Sequence, residues 1–207
     1  MTLSNRTLLI VGDSWVAGAA GAALAARLRA AGVTVVLDGK VGRSAISLTH
    51  EFPGVLATAG AVHPDAVVIL LGMNDTASGT DLRAAYQRIQ HVFMAALPLA
   101  PVFALSNGAP EGTAHHDRVV AAEAAQADVF GARAIPGADL ARPEDMNASD
   151  AHLTHDGAGL WAQRVAPVLD DTISRTLVAP GIGRTLLSSI PGAERMFRAI
   201  IDQKGAQ

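Results

Sequence analysis

Short apolar runs alternate along this chain with longer amphipathic stretches, and that alternation leaves few folds open. Residues Val67, Val68, Ile69, Leu70 and Leu71 are consecutive and apolar. A run of that kind needs cover on both faces, as in a strand of a parallel sheet. Similar runs predict strands at Leu8–Val11, Thr34–Leu37, Ala66–Leu71 and Val102–Ser106, with a weaker one at Ala132–Pro136. Amphipathic stretches predict helices at Val16–Ala31, Asp81–Leu97, His116–Phe130 and Ala158–Leu177. Asp81 and Asp117 stand where N-terminal caps or first-turn acids belong. Gly32 and Gly131 stand where helices commonly end. Strands and helices in alternation build βαβ units, and right-handed crossovers give a three-layer α/β/α sandwich.

The 207 residues suit one domain, and half of them are hydrophobic, enough for a sizeable core. Only 4% are aromatic, so Ala, Val, Leu and Ile must fill that core. A net charge of -3 offers no basic surface for nucleic acid. The chain has no Cys, which rules out disulfides, thiolate catalysis and Cys-based zinc sites. The first residues lack the pattern of an export signal, so a cytoplasmic location is expected. The Ala-rich stretch from Ala17 to Ala31 is interrupted by Arg27 and Arg29 and is too short for a membrane span. Residues 1–178 read as the domain. Residues 179–207 read as an extension with a docked helix near Ser188–Ile201, its apolar face formed by Ile190, Met196, Phe197, Ile200 and Ile201. Nothing in the sequence fixes an oligomeric state.

Function in open parallel sheets collects at the carboxyl ends of the strands. After the first strand comes Gly12-Asp13-Ser14, a turn that exposes a serine hydroxyl at the mouth of a helix. The helix N-terminus helps a developing anion there, although a serine in this place also serves as a simple cap. Asp13 is expected to brace the loop, and Trp15 either to wall a pocket or to pack. After the second strand, Gly39 and Gly42 let backbone approach a ligand. Ser44 is a poor rival nucleophile, because Gly42-Arg43-Ser44-Ala45-Ile46 lacks the second glycine of a nucleophile elbow. After the third strand, Gly72 precedes Asn74, whose amide can donate to an oxyanion, and Asp75. A polar loop before the last helix holds Asp150, His152, His155 and Asp156. Histidine is the usual base for a serine hydroxyl, and His152 is preferred over His155. His115, His116 and Asp117 invite a metal reading, but adjacent helical residues do not share a face and no third ligand has suitable spacing.

These blocks, in this order, resemble the SGNH (GDSL-type) hydrolases, a family named for Ser, Gly, Asn and His. The matching residues are Ser14, Gly42, Asn74 and His152, and Gly157, Leu160, Trp161 and Ala162 resemble the family's last block. The resemblance covers roughly residues 8–170. It implies a flavodoxin-like sheet of five parallel strands and an oxyanion hole from the Ser14 N–H, the Gly42 N–H and the Asn74 side chain. It implies no required cofactor, and a small-molecule ester as substrate: a carboxylic ester, a thioester or a sugar acetate. Some relatives transfer acyl groups instead. The family's triad Asp stands three positions before the His, where this chain has Ser149. Asp150, two positions before His152, is the assigned acid, with a Ser–His dyad as the other arrangement. That displacement motivates a second class, a binding module without turnover. A third, a flavodoxin-like FMN or phosphate binder, is disfavoured by a first loop poor in hydroxyls and by few aromatics.

Overall fold

The computed structural model describes residues 3–75, 79–147 and 151–178. The Ser188–Ile201 helix expected from the sequence lies outside them, as do Ser149 and Asp150. Five strands form the sheet: β1 (Thr7–Gly12), β2 (Thr34–Gly39), β3 (Ala66–Leu70), β4 (Val102–Leu105) and β5 (Ala134–Ile135). All pairings are parallel, in the order β2-β1-β3-β4-β5. This is the flavodoxin-like arrangement, with helices on both faces.

Among the described residues, six α-helices cover the sheet: α1 (Ser14–Ala17), α2 (Ala19–Ala30), α3 (Ala45–Val62), α4 (Gly79–Ala96), α5 (His116–Phe130) and α6 (His155–Val178). Successive side chains of a strand point to opposite faces, and the core divides accordingly. Leu8, Ile10, Val68, Leu70, Phe103 and Leu105 join the side chains of α1, α2 and α6. Leu9, Val11, Val67, Ile69, Val102 and Ala104 join those of α3 and α4. Both clusters are built almost wholly from side chains shielded from water, which explains why the strand segments have no polar alternation.

Three helical segments depart most from the sequence expectation. The first helix is split at Gly18, whose extended backbone (φ -110°, ψ -155°) ends α1 and begins α2, and the chain after the break packs so closely that a Cβ at Gly21 would lie 2.2 Å from the Val16 carbonyl oxygen. The last helix starts earlier, at His155, with Asp156 in its first turn. Helix α3 was not expected at all. Its interior carries Pro53 and its sequence includes Gly54 and Gly60, all of which lower local helix propensity. Burial of Leu48, Phe52, Val55 and Ala59 outweighs that deficit. Gly32 and Gly131 do follow helix ends, both with positive φ.

The topology fixes where ligands can approach. β1 lies between β2 and β3, so the connection from β1 runs to one side of the sheet and the connection from β2 returns past β1 to the other. The loops after β1, β2 and β3 therefore diverge around a crevice at the carboxyl edge. Gly12 ends β1 there, and no larger residue fits: a Cβ would lie 2.3 Å from Val16 Cγ2 and 2.4 Å from the Leu70 carbonyl oxygen.

Candidate active site

Asp13 caps α1, its carboxylate accepting the Trp15 N–H at 2.9 Å. The next residue, Ser14, is thereby set at the first position of a helix, half-buried at the crevice. From the far end of the chain, the segment before α6 returns to the same edge. Leu153 pairs with Met146 in an antiparallel bridge, and the Asn147 N–H donates to the His152 carbonyl at 2.8 Å. The Asp145 carboxylate anchors this segment through the Arg142 N–H and an ion pair with Arg164. His152 Nε2 then lies 2.8 Å from Ser14 Oγ.

One contact that the sequence reading left open explains why these two residues meet. Trp15 is buried, and its indole N–H donates to the Ala151 carbonyl at 3.0 Å. Trp15 adjoins the serine and Ala151 adjoins the histidine. The indole also packs edge-on against Trp161 of α6, with ring centroids 5.4 Å apart. Trp15 is thus a buried tie between the two ends of the site.

Gly42 sits exposed in the loop after β2, with φ +75°. Among the described residues, no acceptor takes its N–H or that of Ser14. Asn74 lies beyond β3, and its Nδ2 donates to Asp13 Oδ2 at 3.2 Å and to the Arg43 carbonyl at 3.1 Å. Asn74 thus bridges the residue before Ser14 and the residue after Gly42, beside the Ser14–His152 pair. The other candidates have different occupations. Ser44 caps α3, bonded to the Ser47 N–H. His155 opens α6 and is exposed, and the ring facing Ser14 belongs to His152. His116 Nδ1 is engaged with the Ala109 carbonyl at 2.8 Å. Among the described residues, no group of three or more His, Asp or Glu could hold a metal ion.

Arg43 escaped the sequence reading. Its guanidinium is buried and reaches the carbonyls of Gly12 at 3.0 Å and Asp38 at 2.6 Å, the Asp38 carboxylate and the Glu51 carboxylate. It binds the ends of β1 and β2 to α3 and so fixes the loop that presents Gly42. The sequence signal was a cation beside a glycine loop, with acids five positions before and eight after it.

Two buried carboxylates lie behind the crevice. Burial pushes Asp13 up to about 7, partly offset by the Trp15 N–H and the Asn107 amide. Burial likewise pushes Asp75 up to about 6, against the bonds it accepts from the Ala45 N–H and the Tyr86 hydroxyl. Tyr86 is raised by its own burial and by the Asp75 charge beside it. A carboxyl that holds its proton more tightly when folded stabilises the fold fully below its unfolded value, 3.8. That contribution is lost as pH rises through the folded value. The expected result for Asp75→Asn is therefore a melting temperature that gains on the wild type between pH 4 and about 6, then runs parallel to it. Glu51, shifted downward, gives the opposite slope but is present in both proteins and cancels. A difference between the two melting curves that does not change with pH would contradict this assignment.

Residues 10–165 match the model of the GDSL-like lipase/acylhydrolase family, and the chain belongs to that family. It is an ester hydrolase with the SGNH α/β/α fold. No curated protein matches the sequence. Similar solved structures include TesA, at 21% identity, covering 81% of this chain and 99% of that one with a TM-score of 0.63. The psychrotrophic esterase EstA from Pseudoalteromonas sp., inhibited by monoethylphosphonate, is 16% identical, with 84% and 99% covered and a TM-score of 0.61. A catalytic mutant of an acetylxylan esterase from Geobacillus stearothermophilus is 15% identical, with 80% and 94% covered and a TM-score of 0.59. At these identities the structural likeness speaks for the fold. Among the described residues, no helix is long and apolar enough to cross a membrane.

Proposed function

We propose that this protein cleaves carboxylic esters through an acyl-enzyme on Ser14, with His152 as general base and then general acid. The observation that carries the reading is the 2.8 Å approach of Ser14 Oγ to His152 Nε2, from residues 138 positions apart in sequence. In the first half-reaction His152 Nε2 takes the hydroxyl proton while Oγ bonds to the ester carbonyl carbon. The carbonyl π pair moves to oxygen, which meets the N–H groups of Ser14 and Gly42 and the Asn74 amide. Collapse expels the alcohol, protonated by His152. Water then attacks the acyl-enzyme by the same proton route and frees the acid. Asp150 is assigned to hold the imidazole in the tautomer whose Nε2 accepts.

Asn74 has two amide hydrogens, and both are engaged at rest. The 3.2 Å bond to Asp13 is long for its kind and is the one the oxyanion takes over or shares. Ser14 is half-buried, while Gly42 and His152 are exposed, so the mouth admits small acyl and acetyl esters of alcohols, sugars or lipids. An acetylated carbohydrate is a natural first substrate to try, given the acetylxylan esterase among the structural neighbours.

The test is covalent. A nitrophenyl alkylphosphonate should inactivate hydrolysis of nitrophenyl acetate with one adduct per chain, mapped by peptide mass spectrometry to Ser14. An adduct on another residue, or hydrolysis that survives full labelling of Ser14, would refute the proposal.

A further inference from the structure

We propose that Asn107 is a positioning residue for the oxyanion hole, joining the loop that carries Ser14 to the loop that carries Asn74. This rests on the serine-hydrolase reading above. Asn107 follows β4, a strand that supplies none of the groups assigned to that reading. Its side chain is wholly buried. Its Oδ1 accepts the Met73 N–H at 2.8 Å, and its Nδ2 donates to Asp13 Oδ1 at 3.3 Å. Met73 directly precedes Asn74, and Asp13 directly precedes Ser14. Asn74 in turn donates to the other oxygen of Asp13. The four groups close a ring: Met73 N–H, Asn107 amide, Asp13 carboxylate, Asn74 amide.

The ring dictates residue types. The acceptor towards Met73 and the donor towards Asp13 must come from one short side chain, which the asparagine amide provides. Gly72, with φ +148°, makes the turn that aims the Met73 N–H inward, and its missing Cβ would lie 3.6 Å from Asn107 Oδ1. Asn107 has no bond to Ser14, Gly42 or His152. It acts through Asp13 and Met73, by fixing where the Asn74 amide stands when charge develops on the substrate oxygen. Such an error in placement costs turnover rather than binding.

The titratable groups around the ring are limited. Asp13 is in it, and Asp75 and Tyr86 stand behind it. Arg43 is committed to Gly12, Asp38 and Glu51, and Glu123 to Ser106 and the N–H groups of Gly137 and Ala138. An aspartate at position 107 would therefore face chiefly the Asp13 carboxyl. Protonated, it is isosteric with asparagine and donates to Asp13. Ionised, it cannot donate and repels.

Three variants decide the matter, with nitrophenyl acetate as substrate. Asn107→Ala should lower kcat by about 10–100-fold with KM within about twofold, the scale expected when a group is displaced by a fraction of an ångström. Asn107→Asp should approach wild-type kcat near pH 5.5 and fall progressively behind it towards pH 8, each rate taken relative to wild type at the same pH. Wild-type kcat in both variants, or an Asn107→Asp ratio independent of pH, overturns the proposal. If Asn107→Ala does not fold, the isosteric aspartate variant carries the decision alone. Ser14→Ala separates the two levels: loss of activity there with unaffected Asn107 variants refutes only the positioning role, whereas undiminished activity in Ser14→Ala refutes the underlying mechanism.

Discussion

Ser14→Ala is expected to lower kcat for nitrophenyl acetate by about 10⁴-fold or more, while the melting temperature stays within a few degrees of wild type. The size follows from what the substitution removes. Without Oγ there is no acyl-enzyme, so the reaction reverts to direct attack by water. The Ser14, Gly42 and Asn74 donors remain, which leaves a residual acceleration over the uncatalysed rate. The small stability change follows from the local structure. The hydroxyl caps nothing, because Asp13 caps α1, and its bond to the exposed His152 is solvent-accessible. Alanine is also the best residue for a helix interior and is tolerated in its first turn. KM should change little, since an acetyl ester makes few contacts in so open a site. Turnover retained within tenfold, in protein shown free of other esterases, would exclude Ser14 as the nucleophile.

The sequence made some of this molecule readable and hid the rest, for identifiable reasons. Strands β1, β3 and β4 are buried on both faces, so their apolar runs announce them. Helix α4 keeps a polar outer face and an apolar inner one, and its pattern is equally plain. Helix α3 was illegible because proline and glycines sit in its span and because apolar residues occur all round it. Its stability comes from tertiary burial, which local pattern does not encode. The residues proposed for the site, Ser14, Gly42, Asn74 and His152, stand out in the sequence because each follows a strand or precedes a helix in a polar loop. Arg43, Asn107 and the Trp15 bond to Ala151 were not. Each links segments remote in sequence, and a single side chain bridging two loops leaves no periodic signature. The acid for His152 is the least legible: the family spacing falls on Ser149, and the assigned carboxylate, Asp150, stands one residue out of place.

His152→Ala is expected to cost nearly as much as Ser14→Ala, on the order of 10³–10⁴-fold in kcat or above, and the two losses should not multiply. Base and nucleophile act as one unit. Once the imidazole is gone, the Ser14 hydroxyl keeps its proton and is a poor nucleophile at neutral pH. Once the hydroxyl is gone, the imidazole has no nucleophile of its own to activate. The double variant should therefore be no slower than the slower single one by more than about tenfold, where independent contributions would predict the product of both losses. The pH profile separates a base from a packing residue. A rate that needs a general base in its unprotonated form falls in acid. In the alanine variant that acid limb should vanish, leaving a rate that climbs with hydroxide. Because the histidine is exposed, its removal leaves no cavity, and folding should be unaffected. Multiplicative losses, or an unchanged acid limb in the variant, would show that another group accepts the Ser14 proton. The buried Asp13 would then be the first residue to examine, since it adjoins the serine and burial sets its proton affinity near neutrality.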